Sequence, residues 1–453
     1  MRHLRFPAFV LMFFALLGWS ATPAAAQSIL RDAETEALLH DMATPLIEAA
    51  GLDPVNVDIV LVNDQSVNAF VAGGQAVYIN AGLINEADTA EEVQGVIAHE
   101  LGHVTGGHAV LNQGAKSASN ISILSLLLGA AAAAAGGGEA AMGVLMAGQQ
   151  AAMGKFLAYT RSQEASADAA GAKYLSEAGL SGRGSIEFFK KLQNMEYRYG
   201  YSQRSQDEFF STHPLTSDRI ATLQDTYQKD PAWNAKPDST IQKRFVRMKA
   251  KLYGYLAEPR DVFRRYPLTD NSVPAHYARA YAYNRESKLD EARAETDALV
   301  AQDPEDPYFL ELQGQILLES GKPTEALAPL REATQLTANQ PLIATLFGHA
   351  LMATEDPANF KEAERVLRAA VVRDRENPFA WYQLGTIYAA NGDMPRARLA
   401  SAEQQVLSGR MQEALVSARA AEAGLATGSP DWLRAQDIEM QARAELEREK
   451  KRR

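Results

Sequence analysis

His99 and His103 stand four residues apart in the run Ala98-His99-Glu100-Leu101-Gly102-His103. On a helix that spacing puts both imidazoles on one face, where they can grip a single zinc ion. Glu100 then stands beside the ion, placed to act as a general base toward water. The chemistry this implies is metal-assisted hydrolysis. Cysteine is absent from the 453 residues. Any metal site must therefore use histidine and carboxylate, and disulfides, cysteine nucleophiles and a cysteine-borne lipid anchor are excluded. Only eight histidines are available.

A third ligand is needed. The extended pattern HEXXHxxGxxH would place it at Ala109, which cannot serve; Gly106 fits, but His108 arrives one residue early. His108 falls off the His99/His103 face and reads as a surface or supporting histidine. Glu164 is the better candidate. Asp168 lies four residues on, on the same helical face, so Glu164 can ligate while Asp168 hydrogen-bonds the far nitrogen of a ligand histidine. Alanines at 165, 167, 169 and 170 give this face the look of a packed surface rather than a solvated one.

These side chains need elements to hold them. A helix starting at Thr89, with Glu91 and Glu92 in its first turn, carries the two histidines, and Val96, Ile97, Leu101 and Val104 would bury it. A helix is expected over residues 29–50, a strand over 57–62, and two short strands around Gly73-Gly74 in 68–80. Residues 121–135 and 140–153 read as two apolar helical arms about the turn Gly136-Gly137-Gly138, each too short to cross a membrane. Helix resumes at about 156–178. Residues 229–272 read as a connector with one helix near 244–256.

Beyond Val273 the chain repeats. Pro307, Pro341 and Pro378 align as repeat starts at spacings close to 34, with Gly314, Gly348 and Gly385 at the eighth position. Val273 opens a weaker copy, and residues 395–424 suggest a fifth, overlapping one. This period resembles the tetratricopeptide repeat, a helix–turn–helix unit whose stacking makes a protein-docking surface.

The first 26 residues read as an export leader. Arg2 and Arg5 precede an apolar run, and Ala24-Ala25-Ala26 supplies a small-residue cleavage site. The alternative is an uncleaved membrane anchor. Loss of Arg2 and Arg5 takes the formal net charge two units below −11. An acidic chain of this kind argues against nucleic acid as a partner.

Taken together, Asn68-Ala69-Phe70 with Gly73-Gly74, Gly82-Leu83, the AHELGH run, the Glu164/Asp168 pair, and Ser211-Thr212-His213-Pro214 followed by Arg219-Ile220 resemble the gluzincin metallopeptidases of the CAAX prenyl endopeptidase and HtpX type. The resemblance implies an α+β fold: a mainly helical metallopeptidase domain with a small sheet, here followed by an all-α tetratricopeptide-repeat solenoid. The expected division is 1–26 leader, 27–228 peptidase, 229–272 connector and 273–453 repeats. The resemblance also implies one Zn2+ per chain on His99, His103 and Glu164, with Glu100 as general base. It makes Asn68, Phe70, Gly73 and Gly74 part of a substrate-binding edge strand. For His213 three roles stay open: a fourth zinc ligand that holds the enzyme inactive, a donor to the transition state, or an ordinary loop histidine. Arg219 braces this loop or pairs with a carboxylate. Membrane members of the family place spanning helices where this chain has residues 121–153. That stretch is expected to be a lid or a membrane-surface hairpin, with plain core as the alternative.

The leader and the repeats align the chain with the periplasmic branch of the family that serves outer-membrane protein assembly. The expected function is degradation of misassembled or stalled outer-membrane proteins, with the repeats contacting the assembly machinery. The alternative is a chaperone or adaptor whose zinc site is usually latched.

Overall fold

The computed structural model describes residues 29–108, 138–199, 213 and 216–452. The leader, the first apolar arm at 121–135, and Ser211, Thr212 and Pro214 lie outside the described residues.

Helix α1 (Ala33–Ala49) is capped by Asp32, whose carboxylate accepts from the Thr35 amide at 2.8 Å. Strands β1 (Asp58–Val62), β2 (Ala69–Ala72) and β3 (Ala76–Asn80) form a sheet in the order β1-β3-β2. β1 runs parallel to β3, with Asp58 opposite Ala76. β2 runs antiparallel to β3, with Ala69 opposite Ile79. The tight β2–β3 turn needs left-handed backbone at Gly73 (φ 66°) and Gly74 (φ 105°), which explains the glycine pair. Leu30 donates to the Leu61 carbonyl and partly covers the outer side of β1. Among the described residues β2 is paired on one side only.

A short helix α2 (Ala81–Glu86) leads to α3 (Ala90–Thr105), which carries the histidines and is buried from Ala90 to His103 apart from Glu91. Val93, Val96, Ile97 and Leu101 pack with Leu38, Met42 and Leu46 of α1, Val77 and Ile79 of the sheet, and Phe188 and Phe189 of α5 (Arg183–Tyr199). This core fixes α3 from all sides.

Helix α4 (Gly138–Glu177) is 40 residues long, about 60 Å at 1.5 Å per residue. The second apolar arm is therefore not a separate element: residues 140–153 run without a break into the segment bearing Glu164. The stretch holds no proline, and an isolated glycine such as Gly148 or Gly154 costs only about 1 kcal/mol in a helix, too little to stop it. Met142 and Met146 are exposed, while Ala152 farther along is buried.

After α6 (Ser217–Gln228), the stretch read as a connector is built into the fold. Helix α7 (Ser239–Leu256) starts at the Asp238 cap and drives Phe245 and Met248 into the core around α3. On its other side Ala250 packs with Val262 of α8 (Pro259–Arg265) and with Ala278 and Ala282 of α9 (Val273–Arg285). One amphipathic helix, apolar on two faces, thus serves two cores.

The repeats are helix pairs: α9 with α10 (Leu289–Gln302), α11 (Pro307–Glu319) with α12 (Pro323–Leu336), α13 (Pro341–Ala353) with α14 (Pro357–Arg373), and α15 (Pro378–Ala390) with α16 (Met394–Leu407). The aligned prolines open α11, α13 and α15, where a missing N–H costs nothing. The final pair is α17 (Met411–Glu422) with α18 (Pro430–Arg452). A fifth pair therefore begins at Met411; Pro395 belongs to the second helix of the fourth.

The body around α3 and the helix pairs beyond Val273 are joined by buried charge. Glu34 of α1 pairs with Arg247 and Lys251 of α7 and accepts from the Tyr277 hydroxyl of α9 at 3.0 Å. Arg247 also pairs with Asp306 at the start of α11. Arg31 reaches Asp374 at 3.0 Å. A cavity of about 320 Å³ at this junction is lined by Asp32, Lys251 and Glu311. Among the described residues no helix is long and apolar enough to cross a membrane.

Candidate metal centre

The site is made where α3 crosses α4. A side chain at Gly102 would meet the Ala167 backbone oxygen at 2.6 Å, and one at Gly171 would meet the Ala98 carbonyl at 3.0 Å. Absence of side chains at these two points lets the helices touch. That contact sets Glu164 opposite His99 and His103.

His99, His103, Glu164 and His213 are all buried, and each offers one ligand atom within 4.8 Å of the others. His99 Nε2 lies 3.1 Å from His103 Nε2 and 3.4 Å from His213 Nδ1. Glu164 Oε2 is 3.4 Å from His99 Nε2, and Oε1 is 3.4 Å from His103 Nε2 and 3.2 Å from His213 Nδ1. Three imidazoles and a carboxylate converge here on one point.

Behind this cluster stands a second layer. Asp168 Oδ1 lies 3.0 Å from His99 Nδ1. Arg219 of α6 donates to both Asp168 oxygens at 2.8 Å and reaches Glu164 Oε2 at 3.0 Å. It therefore pairs with both carboxylates, which sharpens the sequence reading. His108 returns to the site because α3 ends at Thr105 and Gly107 turns the chain back with φ 64°. Its Nδ1 sits 2.8 Å from Nδ1 of His103. Phe189, which no motif pointed to, meets the His99 ring edge-on at 6.2 Å. Only its place in an apolar run hinted at it.

Burial pushes the Glu164 carboxyl up, but hydrogen bonds from His103, His213 and His99 outweigh it and hold it far below the carboxylate range. Burial would lower His99, yet Asp168 and Glu164 raise it to about 10. Asp168 is raised by burial and lowered more by Arg219 and His99. The two acids therefore stay ionised.

Glu100 differs from both. It has no solvent exposure, and among the described residues neither of its oxygens has a hydrogen-bond partner. His213 Nε2 lies 3.6 Å from Oε1, beyond hydrogen-bond distance. A buried carboxylate without a hydrogen bond is costly. It marks a point where function, not stability, sets the residue.

The proposed edge strand lies apart from this cluster. Asn68 is buried and its carbonyl accepts from the Asn80 amide at 3.0 Å. Phe70 stacks on Tyr78 at 5.1 Å. Gly73 and Gly74 form the turn. β2 touches α3, so the open edge borders the helix that carries the histidines.

Residues 31–227 match peptidase family M48, and residues 277–341 and 348–406 match the tetratricopeptide repeat. The chain is 26% identical to the β-barrel assembly-enhancing protease of Escherichia coli K12 over 381 residues, covering 82% of this chain and 75% of that protein. The protein of the same name from Yersinia pestis is 26% identical over 385 residues, 83% and 76% of the two chains. The metalloprotease LoiP of E. coli K12 is 30% identical over 180 residues, 39% of this chain and 64% of that one.

The family implies a metal, and the residues present fit one. Donors about 2.0–2.1 Å from a tetrahedral ion lie about 3.3 Å from each other. Five of the six separations, taken to the nearer Glu164 oxygen, are 3.1–3.4 Å and match that spacing, and all four donors lie within 4.8 Å of one another.

Proposed function

We infer that this chain, a metallopeptidase with a peptidase family M48 unit and tetratricopeptide repeats, is a zinc endopeptidase of the periplasm. In this reading it degrades misassembled or stalled outer-membrane proteins, and its repeats dock clients or the assembly machinery. The observation that carries the reading is the buried Glu100 carboxylate, without a hydrogen bond among the described residues, against the buried His99–His103–Glu164–His213 cluster. The nitrogen and carboxylate donors, without sulfur, suit zinc, one per chain. The similarity to the β-barrel assembly-enhancing proteases of E. coli and Y. pestis supports the assembly role. The leader expected at 1–26 supports export, with residues 121–153 a candidate for membrane-surface contact.

When bound, the metal supplies Lewis acidity toward the scissile carbonyl and toward water. The chain's own residues do the rest. Glu100 accepts a proton from water and returns it to the leaving amine nitrogen. Asp168 fixes the ring of His99, and Arg219 fixes Asp168 and Glu164 together. An extended substrate adds to the open edge of the segment from Asn68 to the Gly73-Gly74 turn, where Asn68 and Phe70 turn their backbone groups to β3 and those of Ala69 and Val71 face outward. The domain limits that accompany this reading are a peptidase body at 27–228, a linking segment at 229–272 and repeats at 273–453.

One observation favours a second reading, an adaptor that seldom cuts. His213 Nδ1 completes the donor set while its Nε2 faces Glu100. A fourth protein ligand closes a metal site, and closed sites are structural ones. The two readings separate in cells lacking the protein. If Glu100→Gln restores outer-membrane integrity in full, proteolysis is dispensable; purified protein without stoichiometric zinc defeats both.

A further inference from the structure

Helix α3 stops just beyond His103, and the stop brings a side chain back to it. Thr105 is the last helical residue, and Gly106 caps it with φ −71°. Gly107 then takes left-handed backbone with φ 64°. The Gly107 amide donates to the Val104 carbonyl at 3.1 Å, and the His108 amide donates to the His103 carbonyl at 3.1 Å. This pair of bonds is the Schellman stop, which ties the residue two past the cap to the residue third from the helix end. Here those residues are His108 and His103.

The side chains meet as the backbones do. His108 Nδ1 lies 2.8 Å from His103 Nδ1, and the rings sit edge to face with centroids 4.9 Å apart. The other nitrogen of His103, Nε2, faces His99 Nε2 at 3.1 Å and Glu164 Oε1 at 3.4 Å. Space is kept for the His108 ring. A Cβ on Gly106 would stand 2.5 Å from its Nε2 and 2.8 Å from its Cε1. Gly106 has ordinary right-handed backbone, so its missing side chain answers to that ring and not to the turn.

The direction of the hydrogen bond follows from His103. A neutral imidazole has one N–H and one lone pair. With the Nε2 lone pair turned to a metal, Nδ1 carries the proton and donates it. His108 Nδ1 then accepts, and the proton of His108 stands on Nε2. His99 is backed differently, by the Asp168 carboxylate at 3.0 Å.

We propose that His108 is the positioning residue of His103: its Nδ1 accepts the Nδ1 proton of His103 and so fixes the ring and tautomer of that ligand. The Gly106-Gly107 stop seats it there. The proposal rests on the zinc reading of the cluster.

Zinc affinity of the full chain, read by competition with a chromophoric chelator, tests this without any cleavage assay. His108→Phe keeps an aromatic ring and removes the acceptor, and should cost about tenfold in affinity. His108→Asn puts an amide oxygen where Nδ1 stood and should restore most of that loss. Gly106→Ala leaves the backbone unstrained but displaces the ring, and should weaken zinc binding as His108→Phe does. If the wild type binds zinc and His108→Phe binds it equally well, this proposal falls and the zinc reading stands. It falls too if His108→Asn binds as weakly as His108→Phe, since the ring would then serve packing alone. Should His108→Phe fail to fold, unchanged affinity in Gly106→Ala overturns it. A wild-type chain that takes up no zinc removes both readings.

Discussion

Asp168 stands 3.0 Å from Nδ1 of His99, so Nε2 is the nitrogen His99 turns toward Glu164 and His213. Arg219 holds Asp168 in that position through both carboxylate oxygens. A carboxylate behind a ligand histidine fixes its tautomer and raises its basicity. Asp168→Asn should therefore keep the fold and lose about 10–100-fold in zinc affinity, measured by competition with a chelator. Unchanged affinity would show that Asp168 serves only to anchor Arg219.

His213 lies 3.2 Å from Glu164 and 3.6 Å from Glu100, with one ring nitrogen toward each. On the proposed zinc-peptidase reading, a side chain so placed would compete with substrate for the metal and shield Glu100. His213→Ala is expected to raise cleavage of an unfolded protein substrate severalfold, followed by gel densitometry over time. A fall in rate would instead assign His213 to transition-state support.

The cluster was legible in part because it obeys helical arithmetic: His99/His103 and Glu164/Asp168 are each four apart, and each pair shares a face. The period of the repeats was legible for a similar reason, since Gly314 and Gly348 face Leu330 and Leu367, where any side chain would collide. What stayed hidden was set by tertiary contact. No local pattern says that His108 folds back on His103, that Phe189 abuts His99, or that α7 serves two cores. The fusion of the second apolar arm with the helix that bears Glu164 is not legible either, because glycine in a local pattern reads as a stop. In a long run of helix formers it is only a local cost.

Glu34 is almost fully buried between Arg247, Lys251 and Tyr277. Removing one member of a buried charge set strands the others, at a cost of about 3–5 kcal/mol. Arg247→Ala should lower the stability of the full chain by that order in urea denaturation. It should also split a shared unfolding transition into two, because Arg247 ties α1 to Asp306 of the repeats. A single transition at the wild-type midpoint would count against a coupled junction.

Glu311 offers a pH signature at the same junction. Its Oε2 is buried without a partner, and burial pushes its carboxyl up to about 8, with Asp32, Glu34 and Glu36 adding to the shift and Lys251 opposing it. The ordinary value in the unfolded chain is 4.5. Between those two values the folded chain holds a proton that the unfolded chain has lost, so stability falls as pH rises through the interval. The contribution of Glu311 is complete below about 4.5 and gone above about 8. Glu311→Gln keeps the neutral shape and removes the titration. Thermal melts from pH 5.5 to 8.5 should therefore show the variant gaining on the wild type steadily as pH rises and exceeding it near pH 8.5. Parallel pH profiles for the two proteins would mean that the carboxyl reaches water and titrates normally.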